Sequence, residues 1–327
     1  MRGIGTWAGI RRRAALFDAR ELWHALCELR PDVIYQQMRQ SYTAVCAHYS
    51  QKMQIPFFFQ IASDLDLDRR FVTNGVSANL PFDIAEAIAG RWGLKRASHI
   101  LAQTTRQRRI LRERFDRDSA AVVRNFHPLP AKLPPKAEHP VEVLWVANLK
   151  DVKRPEIFVH LAESFASRDD LRFVMAGRRS AQVNVYAPLM QRIQRTPNLS
   201  YLGELSIDDV NRQMARAAIH VNTSSFEGFP NTFIQAWAQG AVVVTLAVDP
   251  EEEGMENLGI GICAGASFDR LRQTIDLLAR SPEKRRAMAD RAFAFAQANH
   301  SLSHGTRLVD LMLNAACEAE RARTATQ

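Results

Sequence analysis

Residues 218–246 constrain the fold of this chain more than any other stretch. A strand-like run, Ala218-Ile219-His220-Val221-Asn222, leads into the loop Ser225-Phe226-Glu227-Gly228-Phe229-Pro230. A second run, Ala241-Val242-Val243-Val244-Thr245-Leu246, follows a short helical segment. Pro230 stands where a first helical residue would go and Gly240 just past the last, the usual Pro-in, Gly-out asymmetry of a helix. The unit is therefore strand, tight loop, helix, strand. In a parallel α/β sheet such a loop lies at the carboxyl edge of the strands, where ligands bind. The helix start offers unpaired N–H groups and a positive dipole end, with the Glu227 carboxylate on the same loop.

The rest of the chain repeats this alternation. Arg11 to Leu29 has an amphipathic helical pattern, then come a strand at Pro31–Tyr35, a helix at Tyr42–Met53 and an apolar strand at Pro56–Ala62. An irregular segment to about Asn79 precedes a helix at Pro81–Arg96, a strand at Ala97–Gln103 and a helix at Thr105–Phe115, and Val122–Phe126 closes this part. His127–Pro140 holds five prolines, which forbid a regular helix and mark an interdomain linker. Beyond it, strands at Val141–Val146, Leu171–Ala176 and Leu199–Leu202 alternate with helices at Pro155–Ala166, Val185–Arg195 and Ser206–Ala217. Three further helices begin near Ser267, Ser281 and Ser301. Strands alternating with helices of this length mean βαβ units and parallel sheets. The expected division is a first domain over 1–126, a linker over 127–140 and a second domain over 141–327.

At 327 residues the chain has room for two domains, and 46% apolar with 24% charged residues is a globular composition. No apolar run approaches the ~18 residues that span a bilayer, and the N-terminus lacks the charge order of a secretory signal. Cys27, Cys46, Cys263 and Cys317 are scattered without a CxxC pair and read as reduced thiols, which suits a cytoplasmic protein. The net charge of +8 is uneven: residues 1–140 carry 22 Lys and Arg against 13 Asp and Glu, and 141–327 carry 21 against 22. A basic first part suits an anionic membrane surface or an anionic lipid-linked acceptor, or is simply an Arg-rich solvated face. Nucleic acid is not expected as a partner, because no RNA-binding aromatic motif or zinc finger accompanies the charge.

Glu227-Gly228-Phe229-Pro230-Asn231-Thr232-Phe233-Ile234-Gln235-Ala236-Trp237-Ala238-Gln239-Gly240 resembles the signature loop of retaining, GT-B-fold glycosyltransferases of family 4. The resemblance implies an α/β chain of two Rossmann-like parallel-sheet domains facing a cleft. It implies that Glu227 contacts hydroxyls of the transferred sugar and that the backbone of Gly228, Phe229, Pro230, Asn231 and Thr232 holds others. The family's second Glu, on the ribose, is Gln235 here, an amide that hydrogen-bonds without a charge. Where the family has Gly-Arg-Leu and then a Lys for the donor diphosphate, this chain has Asn148 in the Arg position and Lys153 in the Lys position, with Lys150 and Arg154 nearby. A cation there would neutralise charge developing on a leaving diphosphate. Gly177, ending the run Phe173-Val174-Met175-Ala176, and the Gly203-Glu204-Leu205 turn correspond to family landmarks; backbone groups around Leu205 would face the nucleobase.

Three other motifs carry less. Gly3-Ile4-Gly5-Thr6-Trp7-Ala8 and Gly259-Ile260-Gly261-Ile262-Cys263-Ala264 fit a GxGxxA pattern, but the first has no preceding strand and the second runs on as a strand. Asp64-Leu65-Asp66-Leu67-Asp68 lacks the Gly and Glu of a calcium loop, since Arg69 and Gly75 fill those places. Ser63 and Asp64 are acceptor-side candidates, a solvated acidic loop is the plain alternative, and no metal site is expected. The first clear strand resembles the fourth strand of a GT-B N-terminal domain, so that domain is expected to be incomplete, lacking the glycine-rich acceptor-side loop. The leading expectation is transfer of a sugar from a nucleotide-sugar to a saccharide or lipid-linked acceptor, with no cofactor, in the cytoplasm or on the inner membrane face. The alternative is a non-catalytic nucleotide-sugar-binding partner; a sugar-nucleotide epimerase is disfavoured by the signature.

Overall fold

The computed structural model describes residues 18–68, 80–179 and 186–325, with side chains of 80–83 left aside. The start of the Arg11–Leu29 helix, Gly3–Ala8, Arg69, Arg70 and residue 185 lie outside the described residues. The chain divides into two compact units: residues 1–124 with 303–327, and residues 125–302.

The first unit holds a parallel sheet in the order β1 (Ile34–Gln37), β2 (Phe57–Gln60), β3 (His99–Ala102), β4 (Ala121–Val122). Helices α1 (Ala19–Leu29), α2 (Ser41–Met53), α3 (Leu80–Arg96) and α4 (Thr105–Phe115) connect and flank these strands. Successive strand residues point to opposite faces, and the triple Phe57-Phe58-Phe59 shows it. Phe57 and Phe59 pack with Ala47, Tyr49, Leu94 and Leu111, whereas Phe58 packs with Leu101 and Leu308. Asp64–Leu67 forms a 3-10 turn where an irregular segment was expected.

The second unit is built on a six-stranded parallel sheet. In chain order its elements are β5 (Val141–Val146), α5 (Pro155–Glu163), β6 (Leu171–Ala176), α6 (Ala187–Arg195), β7 (Leu199–Tyr201), α7 (Ile207–Arg216) and β8 (Ile219–Asn222). Then follow α8 (Asn231–Ala238), β9 (Val242–Thr245), α9 (Met255–Leu258), β10 (Gly261–Cys263), α10 (Phe268–Ala279) and α11 (Pro282–His300). The strand order is β10-β9-β8-β5-β6-β7. From β5 the chain winds outward through β6 and β7, then returns to the other side of β5 to lay down β8, β9 and β10. The order therefore reverses between β5 and β8, and the carboxyl ends of these two strands are the place where sheets of this kind bind ligands. Helices cover both faces of the sheet: Phe158, Leu161 and Ile275 pack on one, and Phe233, Trp237 and Ala292 on the other.

The expected domain limits differ from these units at two places. Residues 127–140 belong to the second unit, and Ser303–Gln327 group with the first. The reason is packing: α12 (Leu302–Ala325) sets Leu308, Leu311 and Met312 against the Phe58 face of the first sheet. Pro230 is the residue before α8 and not its first helical one, because its extended backbone precedes the first turn.

Candidate active site

The loops leaving β5 and β8 meet where the strand order reverses. At the end of β8, Asn222, Thr223 and Ser224 are buried polar residues, and each has a fixed task. The Asn222 Oδ1 accepts from the Ser224 backbone N–H at 3.0 Å, which turns the chain sharply. The Thr223 hydroxyl donates to the carbonyls of Lys153 (2.7 Å) and Arg154 (3.0 Å) and accepts from the Trp145 indole at 2.9 Å. Ser225 N–H donates to the Val152 carbonyl at 2.9 Å. The Asp151–Lys153 turn is thus stapled to the β8 loop, with Arg154 in the left-handed region just before Pro155 opens α5.

This stapling brings together two residues 74 positions apart. The Lys153 ammonium donates to Oε1 of Glu227 and forms an ion pair with it. Ser224 Oγ donates to the same oxygen at 2.7 Å, and Asn222 Nδ2 approaches it at 3.5 Å. The pair is largely buried, with 14% of the Glu227 side chain and 23% of Lys153 exposed. Helices α5 and α8 both begin beside it, and neither has a side-chain cap. Ile157 and Phe233 N–H bond back to the Arg154 and Pro230 carbonyls at 3.1 and 3.0 Å, and Pro155 has no N–H. Glu156, Asn231 and Thr232 therefore supply the first-turn N–H groups that can meet an anion or a hydroxyl.

The remaining expected residues fall into two groups. Asn148 is exposed at the end of β5, and its Oδ1 lies 3.4 Å from the Arg178 backbone N–H; Leu149 N–H donates to the Arg178 carbonyl at 2.9 Å. Gly177 follows β6 with φ +150, and its N–H donates to the Gly203 carbonyl at 2.7 Å. A Cβ on Gly177 would sit 1.7 Å from the Ala147 carbonyl oxygen, so only glycine lets these two loops touch. Gly203, with φ +75, faces open space. Gly228 and Thr232 are half-buried and Asn231 is exposed, with its Oδ1 accepting from Asn125 at 2.8 Å.

Three expected contacts have their side chains turned to structural work. Phe229 is a core residue, packed near Trp237 and His300, and Leu205 packs against the same cluster. Gln235 is buried and its amide donates to Asn211 Oδ1 at 3.0 Å. In the first unit Ser63 accepts from Leu65 N–H as a cap, and Asp64 pairs with Arg106 at 3.3 Å. Asp66 is buried and accepts from the N–H groups of Arg39 (2.7 Å), Ala62 (2.7 Å) and Ser63 (3.1 Å), so its carboxylate holds the turn.

The sequence reading missed Asn222, Thr223, Ser224 and Asn211. A run of four small polar residues at the end of an apolar strand, Asn222-Thr223-Ser224-Ser225, was the available signal.

Residues 140–279 match the family described as "Glycosyl transferases group 1". No curated protein matches the sequence. Among solved structures, the chain is similar to Anabaena HepE, crystallised with UDP and glucose, at 16% identity and TM-score 0.70 over 90% of this chain and 81% of that one. HepE with UDP-glucose matches at 15% identity and TM-score 0.66, over 94% and 82%. Sucrose-phosphate synthase from Thermosynechococcus elongatus matches at 14% identity and TM-score 0.66, over 94% and 78%. Residues 140–279 thus carry a group 1 glycosyl transferase domain, and the two parallel sheets of the chain have the GT-B architecture of these glycosyltransferases.

Proposed function

We propose that this protein is a retaining, family 4-like glycosyltransferase that moves a sugar from a nucleotide-sugar to a lipid-linked or polysaccharide acceptor. The observation that carries the reading is the Lys153–Glu227 pair beside two uncapped helix starts at the switch point of the sheet. A donor diphosphate at the α5 start would take Lys153 as its counter-ion and draw it from Glu227. The freed carboxylate oxygen would then accept hydroxyls of the transferred sugar, held in orientation by Ser224. As the sugar–oxygen bond breaks, charge grows on the diphosphate, and the Lys153 ammonium stabilises that charge. Backbone groups of Gly228–Thr232 are proposed to hold the sugar, Gln235 the ribose, and the loops at Asn148, Gly177 and Leu205 the rest of the nucleotide. UDP-sugars are the first donors to try, since HepE was crystallised with them. Ser63 and Asp64 are proposed acceptor contacts, no cofactor is invoked, and the basic first part is proposed to meet an anionic membrane surface.

One observation favours a second reading, a nucleotide-sugar binder without turnover. The ribose position carries an amide already engaged with Asn211 in place of a carboxylate. The deciding experiment is titration of the chain with UDP-, GDP- and ADP-sugars, followed by a product assay with lipid-linked saccharides. The proposal expects one donor to bind, binding to be lost in Lys153→Ala, and product to vanish in Glu227→Ala. Binding without product would support the second reading, and full activity of Glu227→Ala would sink the assignment.

A further inference from the structure

The second unit contains a cavity of about 250 Å³ at the opposite end of its sheet from the Lys153–Glu227 pair. Its walls include Ala218, just before β8, and Gly240, just before β9, which places it at the amino edge of the strands. Leu133, Pro134 and Ala289 make an apolar lining, and Lys136, Arg285 and Arg286 bring three cations to it. Gly240 has φ +74, and a Cβ there would press on Leu133 and the stem of Lys136.

Two of these cations have no carboxylate bonded to them. Lys136 Nζ donates to the Met214 and Ala217 carbonyls at 2.6 and 2.7 Å, leaving its third proton without a partner among the described residues. Arg285 is 8% exposed, and its bonds all leave from Nη1, to the Leu278 and Ala279 carbonyls. Its Nε and Nη2 have no partner among the described residues. Glu138, also on the lining, is taken by Arg286, and Asp290 is the other acidic group there. Carbonyl dipoles satisfy donors but do not neutralise charge; Glu142 acts on Lys136 and Glu138 on Arg285 only through space, and a buried cation without a bonded counter-ion is costly. Burial pushes the Lys136 ammonium down to about 7, partly opposed by the Glu142 carboxylate.

We infer that this cavity is a second ligand site, which takes a small organic anion through a phosphate or carboxylate group held by Lys136 and Arg285. The anion supplies a directly bonded counter-ion, which Glu142 and Glu138 give only through space, and the apolar wall accommodates a short carbon body.

The test is calorimetric titration of the whole chain with inorganic phosphate and with malonate at constant ionic strength. The titration is repeated on Arg285→Gln, on Ala289→Phe, which fills the cavity and leaves its charges, and on Lys153→Ala. The expected result is saturable binding that weakens at least about tenfold in the two cavity variants and persists in Lys153→Ala. Either probe binding in that pattern upholds the site, and the tighter of the two identifies the group it takes. Absence of saturable binding by both probes overturns it, as does binding lost in Lys153→Ala but kept in Ala289→Phe. If Arg285→Gln fails to fold, Ala289→Phe decides.

Discussion

At the scale of residues, Glu227 depends on its neighbours more than on its own loop. Its Oε1 receives Lys153 and Ser224 together, so the carboxylate is aimed before any ligand arrives. Hydrogen bonds to charged groups are worth ~1.5–3 kcal/mol, so under the proposed role of Glu227, Ser224→Ala should lower transfer roughly tenfold to a hundredfold. Steady-state kinetics would show a fall in kcat with a smaller change in KM if Ser224 orients Glu227 in the transition state. An unchanged kcat would show that Lys153 alone suffices. Gly177 is constrained differently: a methyl group there meets the Ala147 carbonyl at 1.7 Å. Gly177→Ala should therefore cost ~3 kcal/mol or more through forced backbone movement, measurable by urea unfolding alongside weaker donor binding. Glu227 and Lys153 were legible as candidates because each sits in a recognisable run. Their pairing was not legible, because it is made by Thr223 and Ser225 reaching across 70 or more residues to the β5 loop. The engagement of Gln235 with Asn211 was hidden for the same reason.

At the scale of elements, periodicity was a good guide wherever a strand is buried on both faces. The expected limits of β5 and β6 coincide with the structure, since Val141–Val146 and Leu171–Ala176 are apolar apart from Glu142 and Arg172 at their second positions and are bounded by turn residues. At the rim the guide is poorer: of the stretch Val122–Phe126 that closes the first part of the sequence, only Val122 belongs to a strand, the two-residue β4. The most constraining unit, β8–α8–β9, is also deeply buried: Ile219, Val221, Phe233, Trp237, Val242 and Val244 have no exposed surface. Inside it lies His220, whose Nδ1 is 3.2 Å from the Leu144 carbonyl and therefore carries the proton. Its Nε2 is buried without a partner among the described residues, and desolvation pushes the imidazole down to about 4. The unfolded chain takes up that proton near pH 6.5, so the stabilising contribution is complete above that value. It is lost as pH falls through about 4, a drop on the order of 3 kcal/mol for this group. Urea unfolding at pH 7 and pH 4.5 should show part of that loss, and His220→Gln should flatten it. An equal slope in the variant would assign the acid sensitivity elsewhere.

At the scale of the whole molecule, the GT-B architecture follows from two parallel sheets that the alternation of strands and helices already implied. The assignment of the terminal helix did not follow. Nothing in the spacing of Leu302–Ala325 says which sheet it will cover; only the Phe58 and Leu101 side chains on the back of the first sheet select it. No described helix is long and apolar enough to cross a membrane. Removing residues 303–327 should uncover Phe58, Leu101 and Val123 while leaving residues 125–302 whole. Loss of the buried Leu308 alone would cost ~2–5 kcal/mol. The truncated chain is therefore expected to expose amides of β2 and β3 to hydrogen exchange, with β5 and β8 as protected as before. Equal protection of both sheets would show that the helix is dispensable.

That return of the chain also sets an order of assembly. Synthesis runs from the N-terminus at roughly 5–20 residues per second, and domains fold as units when complete. The stretch 125–302 is finished before the helix that completes the first unit has been made. The earlier unit is thus closed after the later one, and until then the apolar face of its sheet, with Phe58, Leu101 and Val123, lacks its cover on the nascent protein.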